Sequence, residues 1–237
     1  MAKKYSKQEI ISFCEKASEN MPSFYQESFV KNKGKTKEGE YYTEIIAEWL
    51  LKHFDKFAEI PQVERMNSYK IDEHTGEIKQ MTNRVEERVA KMLYNTHQPY
   101  NGIGEFIDYQ TPLKNIRADK GVGKIDLLSR NDMTRSIYII ELKKKTSPET
   151  MLRCVLECYT YLRTVSKKKL FESFNVPADY ELKASPLVYK DGLQFKEYKD
   201  KGRKHLHLLM EKLECTPFFV EEKLVFDILT VECDKIL

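Results

Sequence analysis

Apolar positions recur at helical spacing through the first sixty residues. Between Lys7 and Asn20, Ile10, Ile11, Phe13 and Cys14 gather into one stripe, and Ser6 stands where an N-cap belongs. Pro22 ends this helix or opens the next turn. A second stripe of Ile45, Ile46, Trp49, Leu50 and Phe54 predicts a helix from Glu40 to Phe57. Between the two, Lys31 to Lys37 forms a basic loop. Residues 61–80 have no period, and His74-Thr75-Gly76 predicts a turn.

From Thr82 the pattern changes. Thr82 or Asn83 can cap a helix that runs to about Asn95, with Val85, Val89, Met92 and Leu93 on its apolar face. Three strands follow: Glu105 to Leu113, Gly123 to Ser129 and Ser136 to Lys143. The run Ile137-Tyr-Ile-Ile140 has the continuous apolar character of a buried central strand. Ser147-Pro148-Glu149 starts a helix, with proline at its first position, that runs to about Val165. Short strands are predicted at Pro186–Tyr189 and Leu193–Phe195, a helix at Lys201–Leu213, and closing strands at Pro217–Val220 and Val225–Val231. The central order of helix, three strands, helix, strand predicts a mixed α/β fold, not a strictly alternating doubly wound sheet.

Composition narrows the function classes. A chain of 237 residues, against about 150 per domain, is one large domain or one domain with an extension. Forty basic and 37 acidic residues leave a net charge of +3, which excludes a histone-like polycation; nucleic-acid affinity has to come from local clustering. No apolar run approaches the ~18 residues of a spanning helix. The N-terminus leads into a charged helix, not an apolar signal region, so the expected compartment is the cytoplasm. The five cysteines are scattered. Cys154 and Cys158 fall on one face of a helix as small core residues, without the C-x2-C knuckle of a structural zinc site. His205 and His207 read as ordinary surface or strand residues.

Acid-x-Lys triplets occur at Glu77, Glu141, Glu181, Glu197 and Glu221. Only Glu141-Leu142-Lys143 ends a buried apolar strand that is preceded by another apolar strand carrying an acid, Asp126. On adjacent strands Asp126 and Glu141 can share a divalent cation, and alternation puts Glu141 and Lys143 on one face about 7 Å apart. Mg²⁺ takes oxygen ligands, polarises a phosphoryl oxygen and acidifies a bound water. Lys143 beside it can orient or deprotonate that water, or stabilise charge on the phosphate. The competing readings are a strand-edge cap at Asp126 and a strand-end ion pair at Glu141–Lys143. Asp108 and Gln110 lie on one face of the first strand, where they can line the site or be exposed, and exposure is the expectation.

Ile125-Asp126 followed by Ile140-Glu141-Leu142-Lys143 resembles the core motif of the PD-(D/E)XK, or restriction-endonuclease-like, nuclease superfamily. That superfamily's core has the same order of helix, three strands, helix and strand. The resemblance implies Mg²⁺ or Mn²⁺ held by Asp126, Glu141 and the Leu142 carbonyl, with Asp126, Glu141 and Lys143 as the catalytic set. Many members add a glutamate on the first core helix. Glu86 fits, with Val89, Ala90 and Leu93 three, four and seven positions on, although a solvated helix residue is the competing reading. Locally, Ile107-Asp108-Tyr109-Gln110-Thr111-Pro112-Leu113, Gly123-Lys-Ile-Asp-Leu-Leu128 and Met151-Leu-Arg-Cys-Val-Leu-Glu-Cys-Tyr-Thr-Tyr161 are similar to an uncharacterised bacterial branch. The resemblance covers roughly residues 82–200. It departs from several branches at Glu157, which stands before Tyr161 where they carry glutamine; with Arg153 it also reads as a structural ion pair on one helix. Residues 1–81 then form a helical extension packed on a nuclease-like core of residues 82–237.

The basic clusters are Lys143 to Lys145, Lys167 to Lys169, and Lys31, Lys33, Lys35 and Lys37. A phosphate-backbone binder needs such clusters beside its acidic site, since neutralised phosphates release counterions. Lys144, Lys145 and Arg153 are the nearest candidates, although in so charged a chain a lysine triplet also reads as a solvated face. The expected activity is hydrolysis of DNA phosphodiester bonds, with a homodimer as one arrangement that cuts two strands. The alternative is an inactive nuclease fold that binds nucleic acid or a protein. A nucleotide enzyme is disfavoured: Gly121-Val-Gly123 is too short for a phosphate loop and precedes a strand.

Overall fold

The computed structural model describes residues 4–78, 84–114, 123–223 and 228–232. The expected cap at Thr82 or Asn83, the boundary between residues 81 and 82, Gly121 and Cys233 lie outside the described residues.

Helix α1 (Lys7–Ala17) begins as the sequence predicts. The Glu9 amide donates to Ser6 Oγ at 3.2 Å, and the Ser6 amide donates to Glu9 Oε2 at 2.8 Å, a reciprocal capping box. It ends three residues earlier than expected. Residues 18–26 tighten into 3-10 geometry around Asn20, which leaves the helical region at φ −137°, ψ 69°, just before Pro22. Helix α2 (Tyr42–Lys52) stops at His53 (φ −117°, ψ 42°), whose ring Nδ1 sits 2.8 Å from the Trp49 carbonyl; a separate 3-10 segment, Phe54–Glu59, follows.

Helix α3 (Val85–Tyr94) precedes three strands, β1 (Glu105–Pro112), β2 (Lys124–Asn131) and β3 (Ser136–Leu142). Helices α4 (Met151–Thr164) and α5 (Lys167–Ser173) then cross over to β4 (Glu181–Tyr189). Helices α6 (Leu193–Lys199) and α7 (Lys204–Lys212) lead to β5 (Phe218–Lys223) and β6 (Ile228–Glu232). The strands form one sheet in the order β1-β2-β3-β4-β5-β6. The β3–β4 and β4–β5 pairs are parallel and the others antiparallel. The molecule is thus mixed α/β, with a mixed sheet flanked by helices.

Several expected elements change. Leu193–Phe195 is the start of α6, not a strand. Its apolar residues alternate, but the positions it buries are Gln194, Glu197 and Tyr198, a helical spacing hidden by polar side chains. His205 and His207 accordingly lie on α7. The cap of α4 is Thr150, whose Oγ accepts from the Arg153 amide at 3.2 Å, so Ser147-Pro148-Glu149 precedes the helix. Helix α5 is unanticipated: about two turns, rich in lysine, offer only Leu170 and Phe171 to the core.

Each face of the sheet carries its own apolar cluster. On one, Ile137, Ile139, Val188 and Phe219 pack with α4 and α7. On the other, Leu127, Ile140, Leu142 and Leu187 pack against Val89, Ala90 and Leu93 of α3. The N-terminal helices belong to the first cluster, Ile10, Ile45 and Trp49 joining Leu206 and Met210. A buried carboxylate reinforces that joint. Glu44 of α2 accepts the amides of His205 at 2.8 Å and Leu206 at 3.0 Å, capping α7 from outside. Among the described residues no helix is long and apolar enough to cross a membrane.

Candidate active site

The pairings Tyr109↔Leu127 and Thr111↔Ile125 bracket Gln110 and Asp126 on neighbouring strands, and Leu127↔Ile140 sets Asp126 beside Glu141. A row of Gln110, Asp126 and Glu141 therefore crosses β1, β2 and β3. Asp126 is half-buried. Its Oδ1 accepts from Gln110 Nε2 at 2.8 Å, and its Oδ2 accepts from the Leu142 amide at 3.0 Å. Gln110 takes a left-handed φ of 50° within an irregular β1, so strand alternation does not describe its direction. Asp108 and Gln110 are not the exposed pair expected. Asp108 is 3% exposed, held by His74 Nδ1 at 2.6 Å and Thr111 Oγ at 2.6 Å.

Lys143 lies one residue beyond β3, its amide still donating to the Leu187 carbonyl of β4 at 3.0 Å. Two residues from Glu141, it points to the same face, toward α4. Its ammonium has three hydrogens and meets three carboxylates: Glu141 at 2.6 Å, Glu149 at 2.8 Å and Glu157 at 3.0 Å. Lys143, Glu141 and Glu157 are 6%, 5% and 8% exposed. Lysine and glutamate are almost never this buried unless paired, so the cage accounts for its own burial. Around it, Arg153 reaches Glu149 at 2.7 Å and the Tyr25 carbonyl at 2.9 Å, while the Tyr161 hydroxyl donates to Glu157 at 3.2 Å.

The electrostatics follow from crowding. Burial pushes Asp126 up to about 7, opposed by the Lys143 charge and the Leu142 amide and reinforced by Glu157 and Glu86. Burial also raises Glu141 well above the usual carboxylate range, and the charges of Asp126 and Glu157 raise it further. Burial alone would lower the Lys143 ammonium, but Glu141 and Glu157 outweigh it and hold the group above its ordinary value. Such an ammonium does not deprotonate a water at neutral pH. Its chemistry is that of a fixed cation and hydrogen-bond donor.

The other expected site residues divide. Glu86, in the first turn of α3, accepts the Lys144 amide at 3.1 Å, which ties that helix to the segment after β3. Lys144 is half-buried; Lys145 is exposed and pairs with Asp191. Arg153 has a side chain only 11% exposed, committed to Glu149 and Tyr25. Among the described residues no three Asp, Glu, His or Cys side chains converge on a single metal-sized point. The donor chemistry nonetheless suits a hard cation. Mg²⁺ is held by one or two carboxylates together with waters and substrate phosphates, and Asp126 and Glu141 are two carboxylates on neighbouring strands, both raised in pKa chiefly by burial.

Sequence reasoning missed Glu149 and Tyr161 as neighbours of this site, and it favoured exposure over a site-lining place for Gln110. The signal available was a spacing, Glu149, Arg153, Glu157 and Tyr161 recurring every fourth residue along one helical line. No family model, curated protein or solved structure matches the chain.

Proposed function

We propose that the chain is a metal-dependent nuclease hydrolysing DNA phosphodiester bonds, with Asp126, Glu141 and Lys143 as its catalytic set. The observation that carries this reading is the meeting of two strand-borne carboxylates of raised pKa with one buried ammonium at the end of β3. Asp126, Glu141 and the Leu142 carbonyl would hold Mg²⁺ or Mn²⁺, with Glu86 assisting from α3. The ion would supply Lewis-acid polarisation of a phosphoryl oxygen and a bound water of lowered pKa. The chain's own groups do the rest. Gln110 and the Leu142 amide orient the Asp126 carboxylate. Lys143 offers positive charge where negative charge builds on the phosphate. Glu149 and Glu157, braced by Arg153 and Tyr161, fix the position of Lys143. The test is cleavage of single-stranded, double-stranded and branched DNA with Mg²⁺ or Mn²⁺; cleavage retained by Asp126→Ala or Lys143→Ala overturns the assignment.

The second reading is a nuclease-like module kept for binding nucleic acid or a protein. The internal pairing of the cage favours it: the Lys143 ammonium donates to Glu141 and Glu157 and lies 2.8 Å from Glu149. Calorimetry without Mn²⁺ binding, together with a salt-dependent gel shift on DNA, selects this reading over the first.

A further inference from the structure

We infer that the loop joining α1 and its 3-10 extension to α2 is a nucleic-acid-binding comb, in which Lys31, Lys33, Lys35 and Lys37 contact phosphates along a strand led toward the Lys143 cage. The inference rests on the nucleic-acid reading above for its choice of polyanion.

The lysines alternate with Asn32, Gly34 and Thr36, and burial alternates with them. All four lysines are exposed, Asn32 and Gly34 are half-buried, and Thr36 is 2% exposed. One side of the loop is therefore basic while the other is anchored. The Gly34 amide donates to Asn32 Oδ1 at 2.9 Å, and the Tyr42 amide donates to the Gly34 carbonyl at 3.1 Å. A Cβ at Gly34 would come within 2.8 Å of the Tyr42 ring, so glycine is what lets the chain lie this close. Thr36 exchanges bonds with Glu40 at 2.9 and 3.3 Å, and Lys35 pairs with Tyr41 as an antiparallel bridge. Arg203 clamps the base of the loop, its guanidinium 3.5 Å from the centroid of the Tyr41 ring, over which Lys35 also lies at 4.0 Å. Such a backbone presents charge without the ordering cost of a loose loop.

None of the four lysines forms an ion pair within 4 Å among the described residues, unlike Lys7, Lys52 and Lys143. Exposed ammonium groups gathered on one loop are what neutralises the phosphates of a strand. A membrane surface fits less well, because the outward positions hold no apolar side chain to insert. The large exposed hydrophobics among the described residues are Met66, Ile78, Val85, Met133 and Leu208, all elsewhere in the chain.

The comb is joined to the candidate site. Thr150, the cap of α4, donates to the Val30 carbonyl at 2.8 Å, and Arg153 donates to the Tyr25 carbonyl at 2.9 Å. From Thr150 to Glu157 the helix rises about 10 Å, so comb and cage lie within a few nucleotides of each other.

The experiment is fluorescence anisotropy of labelled single-stranded and duplex oligonucleotides in chelator, titrated with salt. The variant is K31Q/K33Q/K37Q, leaving Lys35 on its tyrosine. The control, K16Q/K70Q/K168Q, changes charge equally at exposed positions elsewhere. The comb variant is expected to lose roughly tenfold or more in affinity at low salt, with the slope of log K against log salt shallower by about 2–3. The control is expected to stay within about twofold of the parent. A comb variant indistinguishable from the control overturns the inference, as does a parent that binds neither oligonucleotide. Loss of binding to anionic vesicles with DNA affinity intact overturns it in favour of a lipid surface. Cleavage assays on Asp126→Ala report on the nuclease reading separately, since that carboxylate is remote from the comb in sequence and charge.

Discussion

The Lys143 ammonium at the end of β3 donates to the Glu157 carboxylate of α4 at 3.0 Å, joining the sheet to the helix that covers it. A lone buried ion of either sign is expensive, and the contact stands because Lys143, Glu141 and Glu157 are buried as partners of one another.

Removing the cation exposes that balance. Lys143→Met leaves Glu141, Glu149 and Glu157 facing one another with only Arg153 nearby. Breaking a buried pair from one side costs about 3–5 kcal/mol, and that loss is the expected outcome in urea denaturation at neutral pH. The stranded carboxylates take up protons more readily when folded than when unfolded, so much of the loss is expected to return on acidification. Glu157→Gln keeps an acceptor for Lys143 and removes one negative charge, so its cost is expected to be smaller. A Lys143→Met protein as stable as the parent at neutral pH would show the cage to be energetically idle.

Asp126 carries a sign of its own. Folded, it keeps its proton to about pH 7, against an ordinary value of 3.8. Between those values the folded chain binds more protons than the unfolded one, so this group's contribution falls as pH rises through the window. Asp126→Asn stays neutral throughout. It is expected to be more stable than the parent above pH 7, by an amount on the order of 2–4 kcal/mol at about 1.4 per pH unit, and to lose that advantage toward pH 4. Thermal melts of both proteins across pH read this directly, and curves that stay parallel refute it.

The same crowding predicts a metal response. Ligand carboxylates must be deprotonated to bind, so Mn²⁺ is expected to raise the melting temperature above pH 7 and to do little near pH 5. At about 100 times its dissociation constant a ligand adds roughly 2.7 kcal/mol. Asp126→Asn is expected to abolish the shift; a shift that survives places the ion elsewhere.

What the sequence revealed depended on whether the relevant positions were apolar. Strands β2 and β3 announce themselves because Ile125, Leu127, Ile137, Ile139 and Ile140 leave no other reading, and Asp126, Glu141 and Lys143 could be placed by counting from them. Helix α6 was hidden because it buries Gln194 and Glu197, whose polar side chains serve Glu149 and Met151 and not an apolar stripe. Gln110 was hidden because its left-handed backbone breaks the alternation that would have aimed it. Glu149 and Tyr161 join the site only through the way α4 lies across the sheet, which no local pattern encodes. The order of helix, strands, helix and strand was legible, and so was the Glu141 partner of Lys143 as a strand-end ion pair; its Glu149 partner was not.

The buried thiols offer a further check. Burial raises Cys14 to about 12 and holds Cys154 and Cys158 well above the ordinary thiol range. Thiolate is the reactive form, so iodoacetamide at mildly alkaline pH is expected to leave all three unmodified in the folded protein and to label them after denaturation. Peptide mapping by mass spectrometry measures this. Rapid labelling of Cys158 in the native state would mean that α4 lifts from the sheet, because its Sγ lies 3.6 Å from that of Cys215 in the interior.

Gly123, at the entry to β2, makes the last prediction through Tyr161. A Cβ there would stand 2.2 Å from the Tyr161 hydroxyl, which is held by its bond to Glu157. The ring is 4% exposed and packed edge-on to Tyr25 at 6.1 Å, so it has little room to yield. Gly123→Ala is expected to cost about 1–3 kcal/mol, the usual range for overpacking. Tyr161→Phe removes the clashing oxygen and one hydrogen bond to Glu157, at about 1 kcal/mol. If the clash is the cause, the double variant is more stable than the sum of the single losses allows, by roughly 0.5–3 kcal/mol of coupling. Additive losses in that cycle would place the cost of Gly123→Ala in the backbone. Coupling would show that the glycine is there to let the tyrosine hold Glu157, and through Glu157 the lysine.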